Sequence, residues 1–224
     1  MTGTVFERLK AAAQEDWDGY VNHPFVWHMG VGALPESAFR RYLVQDYLFL
    51  IQFARANALA AYKSRSLADM RRAQTGLSAI LDVELNLHLR LSERWGLSAR
   101  DLEQAREEPA TTAYTRFVLD CGASGDLLDL QTALAPCVIG YGEIGARLAA
   151  SLGPEHLENH PYREWIGEYA GEAYQGVAEA ARLHLEDLAA RSMTERRFEE
   201  LVGLFATACR LERDFWQMGL GSDA

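Results

Sequence analysis

Apolar residues recur at spacings of three and four along most of the chain, which is the period of an amphipathic α-helix. One such face carries Tyr42, Phe49, Leu50, Phe53 and Ala56. Asp46 lies on the same face, among these apolar side chains. Alternation of β-branched residues at a period of two, the pattern of a half-buried strand, is hard to find. The pattern therefore predicts an all-α fold, a bundle of about seven or eight helices.

Capping residues and prolines give the expected helix boundaries in the first half of the chain. Thr4 can cap a first helix that runs to about Tyr20. Pro35 suits the first turn of a long helix, which we expect to reach about Lys63. A third helix is predicted over residues 67–95, and a short connector follows it.

Glycines and one proline mark the boundaries in the second half. A helix over residues 111–121 is expected to close at Gly122. The segment 126–152 reads as one helix that Pro136 should kink, because proline lacks the backbone N–H and its ring clashes with the preceding turn. A helix, or a pair bent near Gly171, should follow over residues 162–191.

The last helix has its own start signal. Ser192 and Glu195 have the spacing of a capping box, in which each side chain bonds the backbone at the other residue. We expect the helix that they begin to reach about Met218. His23 and His28, by contrast, read as turn residues, because His23 precedes a proline.

Composition and charge limit the kind of protein. With 224 residues, 49% of them hydrophobic and 24% charged, the chain is expected to form a single domain over residues 1–224. The 32 acidic and 22 basic side chains give a net charge of -10, which argues against nucleic acid as a partner. Neither a signal peptide nor a membrane span is recognisable, and three cysteines without a CxxC pair favour free thiols. We expect a cytoplasmic protein without a membrane partner.

Cys137 is the first candidate for chemistry. Tyr141 lies four residues later and therefore on the same helical face, next to the kink expected at Pro136. A free cysteine is also among the most buried residue types and often acts only as a small apolar side chain. That second reading is the one we adopt for Cys121 and Cys209.

Two acidic residues within apolar helix faces form the second signal. Asp46 lies in YLVQDYLFLIQF and Glu212 in ACRLERDFWQMG, close to Phe215. An ionised carboxylate removed from water is costly unless it is paired or its pKa rises, so such residues are functional candidates. Alternatively, Glu212 could pair with Arg210 or Arg213 at the surface.

Aromatic residues with inward-facing contexts occur in several predicted helices. They are Tyr42, Tyr47, Phe49, Tyr114, Tyr141, Tyr169 and Phe215. Most aromatic stripes are simply core, but a buried phenol needs a hydrogen-bond partner. Several phenols near two carboxyl groups would suit a flat heteroaromatic ligand with polar edges.

Metal chemistry has one weak candidate. Glu84 and His88 stand four residues apart, which places a carboxylate and an imidazole on one helical face. A di-iron bundle needs matching sets on facing helices, and no second pair of equal clarity is found. A metal-dependent oxidase therefore remains only an alternative, and we expect no metal and no cofactor.

Five segments, taken in order, resemble the TenA family, the thiaminase II or aminopyrimidine aminohydrolases. The segments are HPFV at 23–26, LPESAFRRYLVQDYLFLIQFARA at 34–56, APCVIGY at 135–141, YREWIGEYA at 162–170 and RLERDFW at 210–216. The similarity covers nearly the whole chain. It implies a haem-oxygenase-like helical bundle as the fold and a homotetramer as the assembly.

The resemblance also assigns roles to residues. In the family a cysteine followed four residues later by a tyrosine is the nucleophile with its neighbour, which implies these roles for Cys137 and Tyr141. The aspartate that meets the pyrimidine matches Asp46. The acid/base glutamate matches Glu212, and the aromatic residue that stacks on the ring matches Phe215.

Three further positions follow from the same resemblance. Tyr114 and Tyr169 fall where the family has additional substrate-binding tyrosines. Phe49 occupies a position, three residues after the aspartate, that is often tyrosine in the family, so the resemblance implies that this chain lacks a hydrogen bond near the nucleophile. The resemblance thus implies hydrolysis of a small aminopyrimidine in thiamin salvage. A pyrimidine-binding protein without turnover is the alternative that Phe49 favours.

Overall fold

The computed structural model describes residues 3–221, which form thirteen α-helices and two π-helical turns. No β-strand occurs among these residues, so the all-α prediction is confirmed. By their contacts they divide into a first unit, residues 3–34 with 131–216, and a second unit, residues 35–130 with 217–221. The single domain expected over residues 1–224 stays a prediction. None of the helices within residues 3–221 is long and apolar enough to cross a bilayer.

In chain order the helices are α1 (Val5–Ala12), α2 (Gln14–Val21), α3 (Pro24–Gly30), α4 (Glu36–Lys63), α5 (Leu67–Ala79), α6 (Leu85–Arg94), α7 (Ala99–Gln104), α8 (Pro109–Ser124), α9 (Leu127–Ala135), α10 (Tyr141–Glu158), α11 (Arg163–Ala170), α12 (Glu172–Ser192) and α13 (Glu195–Leu220). The first π turn, Ile80–Glu84, joins α5 to α6. The second π turn, Pro136–Gly140, joins α9 to α10. Of the three chain boundaries between the units, two fall within α9 and α13 and one falls just before α4.

The core of the first unit is built from aromatic rings. Trp17 is 1% exposed and stacks on Phe205, with ring centroids 5.7 Å apart. Phe6 meets the edge of Trp17 at 5.5 Å and of Phe205 at 5.9 Å. Large rings bury much apolar area each, so this group fixes α1, α2 and α13 against one another.

The second unit is organised around α4. Its 28 residues include fifteen that are buried, on more than one face, because α5, α6, α7 and α8 all pack against it. Leu48 and Tyr47 pack with Leu102 of α7, whereas Leu50 and Ala54 pack with Ile80 of the first π turn. A helix that is apolar on several sides is expected to lie inside a bundle in this way.

Several predicted boundaries are confirmed. Thr4 forms a full capping box with Glu7 at the start of α1. Helix α4 begins directly after Pro35 and ends at Lys63. Gly171 separates α11 from α12, as the bend predicted there requires.

Other boundaries were predicted wrongly. The expected first helix is two helices, α1 and α2, with non-helical backbone at Ala13. His23 and His28 are not turn residues: His23 is the N-cap of α3, with its Nδ1 accepting from the backbone N–H of Phe25, and His28 lies within α3. Pro24 begins this helix because the first helical position needs no backbone N–H.

Two stop and start signals were also misplaced. Gly122 does not end α8, which continues to Ser124; a Cβ there would lie 2.7 Å from Leu59, so this glycine serves packing instead. At the start of α13 the side chain of Thr194, not Ser192, accepts from the backbone N–H of Arg197. Ser192 is still the last residue of α12. Because predicted helices are divided and α3 is added, the described residues form more helices than the seven or eight that were predicted.

Glycine at position 145 brings α10 close to α11, and this close approach yields a prediction. A Cβ on Gly145 would lie 2.7 Å from the backbone carbon of Tyr169 and 2.8 Å from the backbone nitrogen of Ala170. Because backbone cannot move aside as a flexible side chain can, we expect Gly145→Ala to lower the free energy of unfolding by about 1–3 kcal/mol. Urea denaturation measures this change.

Gly176 provides the matched control within α12. A Cβ at this position would meet nothing within 4 Å, so Gly176→Ala should instead raise the free energy of unfolding by about 0.5–1 kcal/mol. Equal stabilities for Gly145→Ala and Gly176→Ala would contradict the close contact between α10 and α11.

Candidate active site

Cys137 lies in the second π turn, where the kink was predicted. Pro136 begins this turn and cannot donate a backbone hydrogen bond, so the helix widens locally and resumes as α10 at Tyr141. The thiol of Cys137 is 7% exposed and donates to the carbonyl of Leu134 at 3.1 Å. Single π turns occur frequently at functional sites.

Two buried phenols hold the carbonyl groups of this turn. The hydroxyl of Tyr20 donates to the carbonyl of Pro136 at 3.2 Å, and the hydroxyl of Tyr174 donates to the carbonyl of Cys137 at 3.4 Å. A Cβ at Gly140 would lie 2.6 Å from the ring of Tyr20, so glycine is needed there for the ring to approach. The backbone on both sides of the Cys137 side chain is thereby fixed.

Tyr20 links the cysteine to the candidate acid/base residue. Burial raises the pKa of the Tyr20 phenol well above its ordinary value, and the negative charges that Glu212 and Cys137 can carry raise this pKa further. Both groups therefore lie close enough to act on the same phenol. Tyr20 stays protonated and remains a donor to the turn.

Glu212 is 1% exposed, on the inner face of α13. The alternative in which it pairs with Arg210 or Arg213 at the surface is not supported. Arg210 binds Asp16 at 2.9 Å, and Arg213 binds Asp214 at 3.1 Å. The carboxyl group is thus one of the buried acidic groups expected from the sequence.

Aromatic rings gather beside Tyr141 in the first unit. The Tyr141 ring is 5.1 Å from that of Tyr169 and 5.2 Å from that of Trp216, between centroids. Trp165 lies 4.5 Å from Tyr169. Phe215, predicted as a stacking residue, is 1% exposed. The first unit thus brings a tyrosine predicted beside the nucleophile together with a second predicted substrate-binding tyrosine.

In the second unit Asp46 is 4% exposed and has two partners that the sequence analysis did not assign to it. The hydroxyl of Tyr42 donates to Oδ2 of Asp46 at 2.8 Å. Nε2 of His88 lies 2.5 Å from the same oxygen. The four-residue spacing of Tyr42 and Asp46 could have indicated the first contact, but no local signal joins Asp46 to a histidine 42 residues away.

His88 is engaged through both ring nitrogens. Nδ1 lies 3.0 Å from the backbone carbonyl of Glu84, and Nε2 faces Asp46. Burial alone would lower the pKa of His88, but the charge and hydrogen bond of Asp46 outweigh it and leave this pKa raised above 6.5. His88, considered with Glu84 as a candidate metal ligand, instead contacts the carboxyl group of Asp46 and the backbone of Glu84. Within residues 3–221 no group of three or more possible ligands could hold a metal ion.

Phe49 and Tyr114, both predicted to bind substrate, meet within the second unit. Their ring centroids are 5.0 Å apart, and the residues are 8% and 1% exposed. Phe49 therefore contributes an apolar ring where a tyrosine would add a hydroxyl.

The other two cysteines fit the apolar interpretation. Burial, with Asp120 and Asp129 nearby, raises the pKa of the Cys121 thiol to about 11. Burial, with Glu212 nearby, raises the pKa of Cys209 further still. Both thiols are protonated at neutral pH, and a protonated thiol is a poor nucleophile.

The eight predicted site residues are thus all buried, five in the first unit and three in the second. Their roles stay predictions, as does the expectation that Asp46, Cys137, Tyr141 and Glu212 line one cavity. Tyr20 and Tyr174 were not predicted as site residues, and His88 was considered only as a metal ligand together with Glu84. Tyr20 and Tyr174 act through their hydroxyl groups on backbone carbonyls, a contact that leaves no pattern in the sequence.

The fold defines the class of protein. A structure from Shewanella denitrificans, described as a domain with a heme oxygenase-like fold, has a TM-score of 0.70 and covers 96% of this chain and 91% of its own. At 16% identity this similarity shows the fold alone. The protein is a haem-oxygenase-like helical bundle, as the resemblance implied.

Within that class the family is also defined. The model of the TENA/THI-4/PQQC family matches residues 10–222, and the chain belongs to this family. An uncharacterized protein of Haemophilus influenzae is 38% identical over 216 residues, 96% of this chain and 99% of its own length. The aminopyrimidine aminohydrolase of Halalkalibacterium halodurans is 38% identical over 211 residues, 94% of this chain and 92% of its own length.

One solved structure is also similar over nearly the whole chain. The crystal structure of a TenA family transcription regulator from a Silicibacter species has 43% identity and a TM-score of 0.91, and covers 97% of both chains. Similar relatives are thus described by different activities. The function of this chain has to be argued from its own residues.

The pair of Asp46 and His88 yields a prediction about pKa and stability. We expect Asp46→Asn to lower the pKa of His88, because burial then opposes only the smaller contributions of Glu84. A pKa raised by folding adds stability below about pH 6.5 that is lost as pH rises through the folded value. Asp46→Asn should remove this pH dependence. NMR titration of the histidine ring protons and urea denaturation at several pH values measure the two effects.

His156→Gln serves as the control, because His156 is exposed on α10. It should leave the titration of His88 unchanged and identifies one of the six histidine signals. An unaltered His88 pKa in Asp46→Asn would contradict the ion pair.

Proposed function

We propose that this protein is an aminopyrimidine aminohydrolase of the thiaminase II type. It would hydrolyse 4-amino-5-aminomethyl-2-methylpyrimidine to the hydroxymethylpyrimidine and ammonia, in thiamin salvage. The observation that carries the proposal is the buried thiol of Cys137 in a π turn whose carbonyl groups Tyr20 and Tyr174 hold, in the same unit as the buried carboxyl group of Glu212. A nucleophile and a proton donor are the two groups that this substitution needs.

The proposed reaction begins at the pyrimidine ring. The ring is electron-poor, so the thiolate of Cys137 adds to a ring carbon once Glu212 protonates a ring nitrogen. The C–N bond to the exocyclic methylene then breaks, and ammonia leaves with that electron pair from the ammonium form of the exocyclic amine. Water adds to the methylene and releases a proton. The C–S bond then breaks as the ring nitrogen returns its proton to Glu212, and the thiolate is regenerated. One difficult displacement is thereby split into easier steps.

The second π turn supports the nucleophilic role of Cys137. Tyr20 and Tyr174 hold the two carbonyls of Pro136 and Cys137, so the thiol is presented from a fixed backbone. Preorganisation of this kind lowers the entropic cost of bringing the nucleophile to the ring. The rings of Tyr141 and Tyr169 add aromatic surface of the kind that a flat heterocycle contacts.

A small aminopyrimidine is accordingly the proposed partner. Cytoplasmic location and a homotetramer are carried over from the sequence analysis as predictions. A pyrimidine-binding protein without turnover is the competing function, and the apolar ring of Phe49 beside Tyr114 is the observation that favours it.

Cys137→Ser tests the covalent step. The unsubstituted protein should release ammonia from the aminomethylpyrimidine, and Cys137→Ser should lower kcat by several orders of magnitude, because serine is a far weaker nucleophile at neutral pH. Binding of the pyrimidine should survive. Steady-state kinetics with ammonia detection and calorimetric binding measure the two quantities.

Cys121→Ser is the matched control, because it replaces a buried thiol that is protonated at neutral pH. It should retain turnover within a few fold. Normal kcat in Cys137→Ser would overturn the cysteine mechanism, and binding without any ammonia release by the unsubstituted protein would favour the binding function.

Glu212→Gln tests the proton donor. The amide cannot deliver a proton to the ring, so we expect kcat to fall by about 10² to 10⁴, the usual scale for general acid/base groups. Pyrimidine affinity should fall as well, because the amide alters the hydrogen bonds to the ring edge. Glu199→Gln, an exposed change on the same helix α13, should leave both quantities unchanged. Turnover in Glu212→Gln equal to that in Glu199→Gln would exclude the acid/base role.

A further inference from the structure

Gln175 of α12 binds the backbone of two other helices of the first unit. Its Nε2 donates to the carbonyl of Gly142 at 2.9 Å and to the carbonyl of Tyr169 at 2.7 Å. Both partners are carbonyl groups, which can only accept, so the amide group has its NH2 turned toward them. A single side chain of α12 thus uses its two N–H bonds to join α10 and α11.

The bond to Tyr169 lies at the end of α11. This helix ends at Ala170, and the chain turns at Gly171 into α12. The last four carbonyl groups of an α-helix receive no N–H from the same helix. Gln175 supplies such a donor from the next helix, six residues after Tyr169. The bond therefore caps the end of α11 and fixes the backbone that carries the Tyr169 ring.

Two glycines of α10 allow this close arrangement. A Cβ on Gly145 would lie 2.6 Å from the Cβ of Tyr169, and a Cβ on Gly142 would lie 3.4 Å from Nε2 of Gln175. At both points α10 has only backbone facing its neighbours. Steric contact therefore sets the shortest distance between α10 and α11, and the two bonds from Gln175 resist their separation.

A tyrosine ring stands beside each end of these bonds. Tyr141 immediately precedes the residue bound on α10, and Tyr174 immediately precedes Gln175. The ring of Tyr169 is 5.1 Å from that of Tyr141 and 4.7 Å from that of Tyr174, between centroids. The hydroxyl of Tyr174 in turn donates to the carbonyl of Cys137. The bonds of Gln175 thus lie behind a row of rings that leads to the proposed nucleophile.

We propose that Gln175 is a positioning residue: by binding the carbonyls of Gly142 and Tyr169 it holds α11 against α10 and sets the position of the Tyr169 ring that contacts the pyrimidine. This role rests on the proposed function and adds to it a residue that determines how firmly the flat ring is held. Gln175 acts only through Tyr169 and needs no contact with the pyrimidine. Without its two N–H bonds, the Tyr169 ring is no longer held at one place beside Tyr141.

Gln175→Met tests this role with a ligand that cannot be hydrolysed. Methionine has a similar length but no N–H group, so both bonds are lost. 4-Amino-2,5-dimethylpyrimidine has the aromatic ring but no aminomethyl group that could leave. We expect its dissociation constant to rise by about 2- to 10-fold in Gln175→Met, the scale of one aromatic contact. Calorimetry measures this constant.

Gln14→Met is the matched control, because it makes the same substitution at an exposed position of α2 in the same unit. It should leave the dissociation constant unchanged. Gln175→Glu is a second variant of the same shape, in which a carboxylate without a donor faces the two carbonyl groups. It should weaken binding at least as much as Gln175→Met, and it replaces that variant if Gln175→Met fails to fold.

A double-mutant cycle shows whether Gln175 works through Tyr169. Tyr169→Leu removes the flat ring and keeps an apolar side chain, so it should weaken binding by itself. In this background Gln175→Met should cause no further loss of affinity, because no ring is left to position. A merely structural role of Gln175 would change the free energy of unfolding in both backgrounds and leave the affinity as it was.

The choice of ligand separates this role from the proposed function. If the unsubstituted protein releases no ammonia, the hydrolase is overturned but the positioning role is not, because this ligand is bound without being turned over. An unsubstituted protein that does not bind the pyrimidine overturns both. Unchanged affinity in Gln175→Met and Gln175→Glu overturns the positioning role alone, as does an equal loss in the Tyr169→Leu background. A loss of affinity that is absent from the Tyr169→Leu background supports it.

Discussion

The backbone of the first unit depends on a proline that cannot donate a hydrogen bond. Pro136 interrupts the series of backbone hydrogen bonds between α9 and α10. The backbone forms a π turn at this point and the helix continues. Buried carbonyl groups need donors, and Tyr20 and Tyr174 supply them to the turn. The ring of Tyr20 can approach the turn only because residue 140 is glycine and has no Cβ.

The position of Tyr20 in turn follows from packing. Its ring meets the edge of Trp17 at 5.7 Å and stacks near Trp216 at 6.4 Å. These contacts bury the phenol completely, so its hydroxyl has to find a partner within the protein. Tyr20 therefore contributes both to the apolar core, through its ring, and to the hydrogen bonding of the backbone, through its hydroxyl group. The carbonyl that it binds belongs to Pro136, the residue before the proposed nucleophile.

Local features were predictable from the sequence, and contacts between distant residues were not. The interruption at Pro136 followed from its ring and missing N–H, and the start of α4 after Pro35 followed from the same chemistry. Thr194 was missed as a cap because Ser192 has an acidic residue three positions later, whereas Thr194 has Arg197 there. The contact between Asp46 and His88 was missed because helical periodicity says which residues share a face, not which helix that face meets.

The contact between Asp46 and His88 also constrains how the second unit can fold. The two residues lie on α4 and α6, separated by 42 positions, so neither helix can neutralise its own charge. An intermediate with α4 packed and α6 still detached would leave the carboxyl group of Asp46 with the hydroxyl of Tyr42 but without His88, and burying a charge without its counter-charge is costly. Such a partly assembled state is penalised, and α4 and α6 are driven to dock in one cooperative step.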